Sequence, residues 1–137
     1  MSDWSETWRT GNQRLDSEHA EMFALIEALH RVIGAGQAHD PVLLARIEAG
    51  MTEHFRYEHE LMRSSLCPTM ISHDRYHAQL TESLTLLSKA WEQADQVAAQ
   101  IACATFRDQF IYHQDIGADR EMLKHLRVAA PTSLTPR

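Results

Sequence analysis

The amino-acid sequence predicts an all-α protein, an antiparallel up-down-up-down four-helix bundle preceded by an extended N-terminal arm. Three observations lead to this prediction. Apolar residues recur with the three- and four-residue spacing of a buried helical stripe in four separate segments. Glycine, proline and capping side chains separate these segments. The links are short, so neighbouring helices are expected to run antiparallel.

Composition and size favour one soluble globular domain. With 137 residues, 44% apolar and 23% charged, the chain can bury a substantial core. We expect the bundle to span residues 1–127 and residues 128–137, which contain two prolines and no stripe, to be a flexible tail. A net charge of -6 argues against nucleic acid or an anionic membrane as a partner. No signal peptide or membrane span is evident, so we expect a cytoplasmic protein whose Cys67 and Cys103 are free thiols.

The N-terminal region leads into the first predicted helix. Residues 1–15 lack periodicity, and we expect an extended arm whose apolar anchors are Trp4, Trp8 and Leu15. Asp16 or Ser17 is expected to cap the helix, and Gly34 and Gly36 to end it. Its predicted inward stripe consists of His19, Met22, Phe23, Ile26, Leu29, His30 and Ile33.

The second helix has the clearest start. Asp40 followed by Pro41 is typical of an N-cap and a first-turn proline. Pro68 cannot continue a helix, so a tight bend is expected near the end of this one. The predicted stripe consists of Leu44, Ile47, Met51, His54, Glu58 and Leu61.

Two further helices complete the predicted bundle. The third begins near Thr69, and its stripe consists of His73, His77, Leu80, Leu84, Leu87 and Trp91. The fourth begins near Asp95, and its inward candidates are Ile101, Phe106, Phe110, His113, Leu123 and Leu126.

The chemistry lies in the stretch HFRYEHELMRSSLCPTMISHDRYH, residues 54–77. His54 and Glu58 are four residues apart, and so are His73 and His77, so each pair shares one helical face. One such pair is commonly a coincidence on a solvated face. Two pairs on adjoining helices, three imidazoles and one carboxylate in all, suit a borderline metal such as iron or zinc.

Other histidines can join this set in an up-down bundle. His19 lies near the start of the first helix, and His113 lies well along the fourth. The end of the second helix and the start of the third meet at the same end of such a bundle. A buried carboxylate such as Glu58 needs a compensating charge there, and a cation between the helices would supply it.

Three motifs resemble bacterial hemerythrins: WRTGNQRLDSEH (8–19), HFRYEHELM (54–62) and HDRYH (73–77). The resemblance extends from about residue 4 to residue 126. It implies two non-haem iron ions joined by an oxo or hydroxo bridge. By position, one iron would be bound by His73, His77 and His113 and the other by His19 and His54. Glu58 and an aspartate of the fourth helix would bridge the two ions.

Counting bonds in this implied centre gives six ligand atoms for the first iron and five for the second. The one open position would take O2, and the resemblance therefore implies reversible O2 binding for storage, transport or delivery. Two alternatives stay open. The centre could sense O2, NO or redox state for a separate protein partner, or it could act as a peroxidase or NO-handling enzyme.

The bridging aspartate is where the chain departs from the family. The family places Asp five residues after the late His, whereas here Ala118 holds that position and Asp119 follows. A π-bulge, eased by Gly117, would absorb the extra residue and make Asp119 the bridge. Asp115 is the competing carboxylate, and a third alternative is that this helix supplies none.

The expected ligand pocket also departs from the family. Gln109, Phe110 and Gln114 hold positions where the family commonly has Trp, an aliphatic residue and Ile. If these positions face the open iron, the pocket is wet, which favours oxidation over reversible binding. If a bulge rotates the glutamines outward, Phe106, Phe110 and Ile116 close the pocket.

Four remaining histidines are not expected to bind metal. His59 is expected to point to solvent, His39 to lie in a loop and His125 to lie in a last helical turn. His30 is expected to be an interior, hydrogen-bonded histidine. Cys67, in the bend, is expected to serve packing rather than metal binding.

Overall fold

Four helices form the architecture. The computed structural model describes residues 10–115, 122, 124 and 125, and these residues contain helices and no β-strand. The helices are α1 (Gln13–Gly34), α2 (Pro41–Ser64), α3 (Met70–Glu92) and α4 (Gln96–Asp115). Each packs on the next, and α4 packs back on α1. The predicted all-α class with four packed helices is confirmed; the expected tail, residues 128–137, lies outside the described residues.

Helix α1 begins earlier than the sequence suggested. Asn12 is its N-cap, and the Asn12 side chain accepts a hydrogen bond of 3.0 Å from the backbone N–H of Leu15. The expected cap at Asp16 or Ser17 is wrong, because both residues already lie within the helix. Residues 13–15 therefore belong to α1 and not to an arm, and the anchors Trp4 and Trp8 lie outside the described residues.

Asp16 has a different role from capping its own helix. Its carboxylate is buried and accepts hydrogen bonds from the backbone N–H and the hydroxyl of Thr10, at 2.7 and 2.8 Å. These contacts fold residues 10–12 back against the first turn of α1. They also direct the chain before the helix toward α2, where the Asn12 amide donates to the hydroxyl of Tyr57.

The predicted starts of the other helices are confirmed. Asp40 caps α2, its carboxylate accepting backbone hydrogen bonds of 3.1 Å from both Val42 and Leu43. Thr69 is the N-cap of α3. Before α4, the Asp95 carboxylate accepts a hydrogen bond from the backbone of Ala98.

Three helices end in the same left-handed turn. Gly36, Leu66 and Ala94 follow α1, α2 and α3 with φ of 75°, 56° and 59°. After α2, for example, the N–H of Cys67 returns to the Met62 carbonyl at 2.8 Å, which closes a Schellman motif. Glycine accepts this backbone conformation without strain, whereas leucine and alanine do not. The bend before Pro68 is therefore a helix end held in a conformation that its residue disfavours.

Two groups of buried apolar side chains hold the bundle together. The large cluster consists of Met22, Phe23, Ile26, Leu29, Ile33, Leu44, Ile47, Met51, Leu80, Leu84, Leu87, Trp91, Ala99, Cys103, Phe106 and Phe110. The small cluster consists of Leu15, Leu61, Met62, Cys67 and Met122. Every residue of the predicted α2 and α3 stripes is buried. Both cysteines are free, as expected, and both are buried.

The inward face of α4 differs from the prediction. Ile101 was expected to point inward, but it is 62% exposed, and Ala99 and Cys103 are buried instead. The stripe of α4 therefore runs through Ala99, Cys103, Phe106 and Phe110, spaced four, three and four residues apart. Ile101 is two residues from Ala99, about 200° around the helix. The inward candidates Leu123 and Leu126 lie outside the described residues.

His30 is exposed, so the expected interior position is wrong. The buried stripe of α1 follows a seven-residue repeat through His19, Ile26 and Ile33, and such a repeat drifts about 20° per heptad around a straight helix. The stripe therefore passes through Leu29 at this level and leaves His30 outside it.

Two other histidines lie where the sequence indicated. His39 is in the α1–α2 link with its ring against Trp91, and the side chain of His59 is 43% exposed. His125 is helical, and its Nε2 donates to the Ser65 carbonyl at 2.7 Å.

Among the described residues, none of the helices combines the length and the apolar character needed to cross a lipid bilayer.

Candidate metal centre

A layer of buried polar side chains lies between the two apolar clusters. On α1, His19 falls between Leu15 of the small cluster and Met22 of the large one. On α2 the layer's residues lie between Met51 of the large cluster and Leu61 of the small one, and on α3 they lie between Leu80 of the large cluster and Met70, which packs against the small one. The layer comprises His19, His54, Glu58, His73 and His77, each at least nine-tenths buried. It is thus a polar cross-section between two apolar clusters.

Glu58 lies at the centre of this layer, and its two oxygens face different histidine pairs. Oε1 is 3.1 Å from Nε2 of His73 and 2.9 Å from Nε2 of His77. Oε2 is 3.0 Å from Nε2 of His54 and 3.6 Å from Nε2 of His19. One carboxylate therefore connects a pair on α3 with a pair formed by α1 and α2.

The donor atoms form two separate groups of three. His19, His54 and Glu58 form one group and Glu58, His73 and His77 the other, and within each group the ligand atoms lie within 4.8 Å of one another. Metal–nitrogen and metal–oxygen bonds of about 2.0–2.2 Å meeting at right angles place neighbouring donors about 3.0 Å apart. The three shortest separations here, 2.9, 3.0 and 3.1 Å, fit that spacing. The buried groups could therefore hold metal ions.

The local sequence explains why these side chains converge. His54 and Glu58, and likewise His73 and His77, are separated by four residues of continuous helix, so each pair stacks on one face. The Schellman turn after α2 brings α3 back alongside it, and Cys67 anchors that turn in the small cluster. The two pairs therefore reach the interior at the same depth.

His54 is held from its other edge by a carboxylate. Glu18 Oε1 lies 2.8 Å from Nδ1 of His54, so His54 donates Nδ1–H to Glu18 and presents Nε2 to the layer. Arg14 donates to the second oxygen of Glu18 at 2.9 Å, and its guanidinium lies 3.9 Å over the ring of Tyr57. Arg14 also lies 3.6 Å from the carboxylate of Glu53.

Electrostatics around Glu18 favour the charged carboxylate. Burial raises the pKa of Glu18, but hydrogen bonds from His54 and Arg14 outweigh burial, and the pKa falls below its usual value. The hydrogen bond to Glu18 in turn raises the pKa of Arg14. Glu18 is thus an anion, and an anionic acceptor makes the imidazole of His54 a stronger metal ligand.

Aromatic contacts orient the other histidines. The ring of His77 stacks on Phe55, with centroids 3.8 Å apart and planes within 8°. The ring of His19 meets Phe110 edge to face at 6.4 Å and lies 4.5 Å from the ring of His54. Because Phe110 is buried in the large cluster, the His19 side of the layer has an apolar wall.

At the end of α4 the structure describes the backbone and not the side chains. His113, Gln114 and Asp115 belong to α4, but their side chains lie outside the described part of the structure. Asp119, Gly117 and Ile116 also lie outside it, so the choice among Asp119, Asp115 and no carboxylate stays a prediction.

The two described members of the expected ligand pocket lie in different surroundings. Gln109 is half-buried at the seam between α3 and α4, where its amide oxygen accepts a hydrogen bond from the hydroxyl of Ser83. Phe110 is 1% exposed and faces His19. Phe106, which the closed-pocket alternative invoked, is also fully buried.

Sequence reasoning missed Glu18, Arg14 and Phe55. Glu18 and Phe55 each neighbour a layer residue in the chain, Glu18 beside His19 and Phe55 beside His54. However, Glu18 accepts a hydrogen bond from His54 of α2, and the ring of Phe55 stacks on the ring of His77 of α3. The only available signal was the i,i+4 spacing of Arg14 and Glu18, which predicts an ion pair but not its histidine partner.

Chemically, the layer offers imidazole nitrogens and a shared carboxylate in a site largely shielded from water. Such donors hold divalent ions of intermediate softness, and two groups joined through one carboxylate can hold two ions close together. Comparison of the chain with protein-family models, with curated proteins and with solved structures found no match.

Proposed function

We propose that this chain is a hemerythrin-like protein that binds two non-haem iron ions, bridged by an oxo or hydroxo group, and takes up O2 reversibly. The observation that carries the proposal is the division of the Glu58 oxygens between two histidine pairs. A structural carboxylate needs only hydrogen-bond donors, whereas a carboxylate between two donor groups suits a pair of cations. The hemerythrin-like motifs in the sequence give the same ligands.

The proposed assignment gives each histidine one subsite. His73, His77 and His113 bind one iron, and His19 and His54 bind the other. Glu58 and Asp119 would bridge the two ions, and the alternatives to Asp119 are Asp115 or no carboxylate from this helix. The subsite with fewer ligands is therefore the one beside Phe110, whose ring lies against His19.

A pair of ferrous ions would supply the two electrons that O2 accepts on binding. The chain's own residues determine whether that binding is reversible. Phe110, which is buried against the ring of His19, keeps water from that side, and Glu18 holds the ring of His54 with Nε2 inward. Gln109, bonded to Ser83 at the α3–α4 seam, has a hydrogen-bond partner there that favours the closed pocket over the wet one. These features support a carrier over a catalyst.

The same proposal includes the finer architecture. We propose an up-down-up-down topology with an arm before residue 10, supported by the short links of residues 35–40, 65–69 and 93–95. The cyclic packing of the helices agrees with this topology.

Metal content and O2 reactivity test the proposed function directly. Protein loaded anaerobically with Fe(II) is expected to retain two irons per chain, and on stopped-flow mixing with O2 to give a coloured adduct that disappears under vacuum. Retention of a single zinc, or bleaching without an adduct, would contradict reversible O2 binding. Turnover of peroxide or NO would favour the enzyme alternative.

Matched variants locate the centre. Glu58→Gln is expected to lose iron from both subsites, because a neutral amide cannot bridge two cations in the same way. Glu60→Gln, two residues later on the same helix, changes a carboxylate that is 57% exposed and paired with Arg63, and it should retain both irons. Equal iron content in the two variants would refute the assignment of Glu58.

A further inference from the structure

Two tyrosines lie in contact beside the polar layer. Tyr76 of α3 and Tyr112 of α4 have ring centroids 6.2 Å apart with planes inclined by 40°. The pair thus forms a contact between the two helices that are expected to supply the ligands of one iron.

The position of the pair in the chain connects it to the layer. Tyr76 immediately precedes His77, and Tyr112 immediately precedes His113. Since neighbours on a helix point about 100° apart, Tyr76 lies on the flank of α3 beside the buried His77. This flank faces α4, where the ring of Tyr76 meets the ring of Tyr112. Each phenol therefore belongs to the residue directly before a proposed metal ligand in the chain.

The outer side of the pair opens to a surface cavity. The cavity has a volume of about 320 Å³ and is lined by Tyr76, Gln79, Leu80, Asp108, Gln109 and Tyr112. Tyr112 is 46% exposed and Tyr76 is half-buried. The pair therefore leads from the buried layer to a site that a small reductant can reach.

Tyr57, the chain's third tyrosine, has different surroundings. Its ring lies under the guanidinium of Arg14, and its hydroxyl accepts a hydrogen bond from the Asn12 amide. A neighbouring cation opposes the loss of an electron from that ring. Tyr76 and Tyr112 are consequently the phenols of this chain best arranged to be oxidised together.

We propose that Tyr76 and Tyr112 form a redox-active pair that passes oxidising equivalents from the buried layer to the surface cavity and that becomes covalently linked when no reductant arrives. This inference rests on the proposed iron centre for the source of those equivalents. The pairing of the two phenols stands on their own geometry.

The chemistry balances with peroxide as the oxidant. Each phenol gives up one electron and its hydroxyl proton, and the two electrons and two protons reduce one H2O2 to two waters. The two phenoxyl radicals, whose rings already lie in contact, then couple through ring carbons ortho to the hydroxyls. The carbon–carbon bond replaces two ring C–H bonds, whose protons return to the phenolic oxygens.

The first experiment tests the pair without iron. The full-length metal-free protein is illuminated with tris(bipyridine)ruthenium(II) and persulfate, which accepts the electrons and ends as sulfate. We expect a monomeric product with dityrosine fluorescence, and peptide mapping should join residues 76 and 112. The link should vanish in Tyr76→Phe and Tyr112→Phe and persist in Tyr57→Phe. Absence of an intramolecular link in the unaltered protein, or a link through Tyr57 in equal yield, overturns the proposal.

The second experiment tests the connection to the buried layer. Iron-loaded protein receives one equivalent of H2O2, and the Glu58→Gln variant, which is expected to retain no iron, serves as the control when given peroxide and the same amount of free iron. We expect the 76–112 link at least tenfold faster in the loaded protein. A loaded protein that keeps its iron but links no faster than the control overturns the relay. A chain that binds no iron refutes the proposed function instead, and the photochemical link then supports the pair by itself.

Discussion

Oε1 of Glu18 lies 2.8 Å from Nδ1 of His54, on the ring edge opposite the one that faces the buried layer. The contact joins α1 to α2 and fixes which imidazole nitrogen is available as a ligand. Arg14 holds the second carboxylate oxygen of Glu18 at 2.9 Å. The orientation of His54 therefore depends on Glu18 directly and on Arg14 through Glu18. Glu18 is thus a positioning residue for a proposed metal ligand.

Removing this carboxylate should weaken metal retention. Loss of an outer-shell partner of a ligating histidine typically reduces metal affinity about 10–100-fold. We expect Glu18→Ala to lose iron to a chelator faster by a factor in that range, and Glu18→Gln, which keeps an acceptor oxygen, to fall between Glu18→Ala and the unaltered protein.

A control and an independent readout accompany this comparison. Glu21→Gln alters an exposed carboxylate one turn along α1 and should leave the rate of iron loss unchanged. Nitrogen NMR of the metal-free protein should show that His54 carries its proton on Nδ1, and that this preference weakens in Glu18→Ala. Identical iron loss from Glu18→Ala and Glu21→Gln would show that the contact does not position His54.

The left-handed helix ends should respond to glycine. Leu66, with φ 56°, is 85% exposed, so Leu66→Gly removes strain while losing little packing. A non-glycine residue in the left-handed conformation destabilises the folded protein by about 1–2 kcal/mol, and glycine removes this strain. Glycine also gives the unfolded chain more conformational freedom, which offsets about 0.4–1 kcal/mol of the gain. We expect the free energy of unfolding to rise by about 0.5–1 kcal/mol.

Two other substitutions at helix ends should lower the free energy of unfolding. Ser65→Gly alters a residue with an ordinary φ of -100° and should lower the free energy of unfolding. Gly36→Ala should lower it as well, because φ there is 75°. Urea denaturation curves measure all three, and a destabilised Leu66→Gly would mean that the Leu66 side chain contributes more than its exposure indicates.

The inward face of α4 can be tested with two truncations. Phe106 is fully buried, whereas Ile101 is 62% exposed. Phe106→Ala should lower the free energy of unfolding by about 3–5 kcal/mol through lost burial and a residual cavity. Ile101→Ala should change it by about 0.5 kcal/mol or less. Similar losses from the two variants would restore the prediction that Ile101 faces the core.

Cys103 should resist alkylation in the folded protein. Burial raises the pKa of its thiol to about 11, and the nucleophile is the thiolate. At pH 8 the thiolate fraction is then about 100-fold lower than for a thiol with a pKa near 9. Iodoacetamide labelling followed by mass spectrometry should therefore be slow at Cys103 in buffer and fast in guanidinium. Equal rates in the two conditions would contradict the buried position.

The sequence predicted the buried faces of α2 and α3, which carry four of the five layer residues, better than the buried face of α4. All residues of the α2 and α3 stripes are buried as predicted, because long apolar side chains at three-four spacing outweigh the polar residues among them. The inward face of α4 begins with Ala99 and Cys103, small side chains that give a weak signal beside the exposed Ile101.

Other misses come from contacts between distant segments. The cap at Asn12 was missed because Asp16 and Ser17 are equally good capping residues, and the preference was decided by Asp16 binding Thr10. The exposure of His30 depends on how the helices wind around one another, which spacing along a straight helix does not include. The pairing of Glu18 with His54 joins residues 36 apart, and no local pattern predicts it.

The polar layer lies between two apolar clusters, and these clusters pack the helices together on either side of it. These clusters pack the helices on both sides of the donors, whose closest separations are 2.9–3.1 Å. If the layer binds iron as proposed, we expect metal binding without coupled folding. We also expect that substituting one donor residue for another can change which metal the layer binds while the helices stay packed through the two apolar clusters.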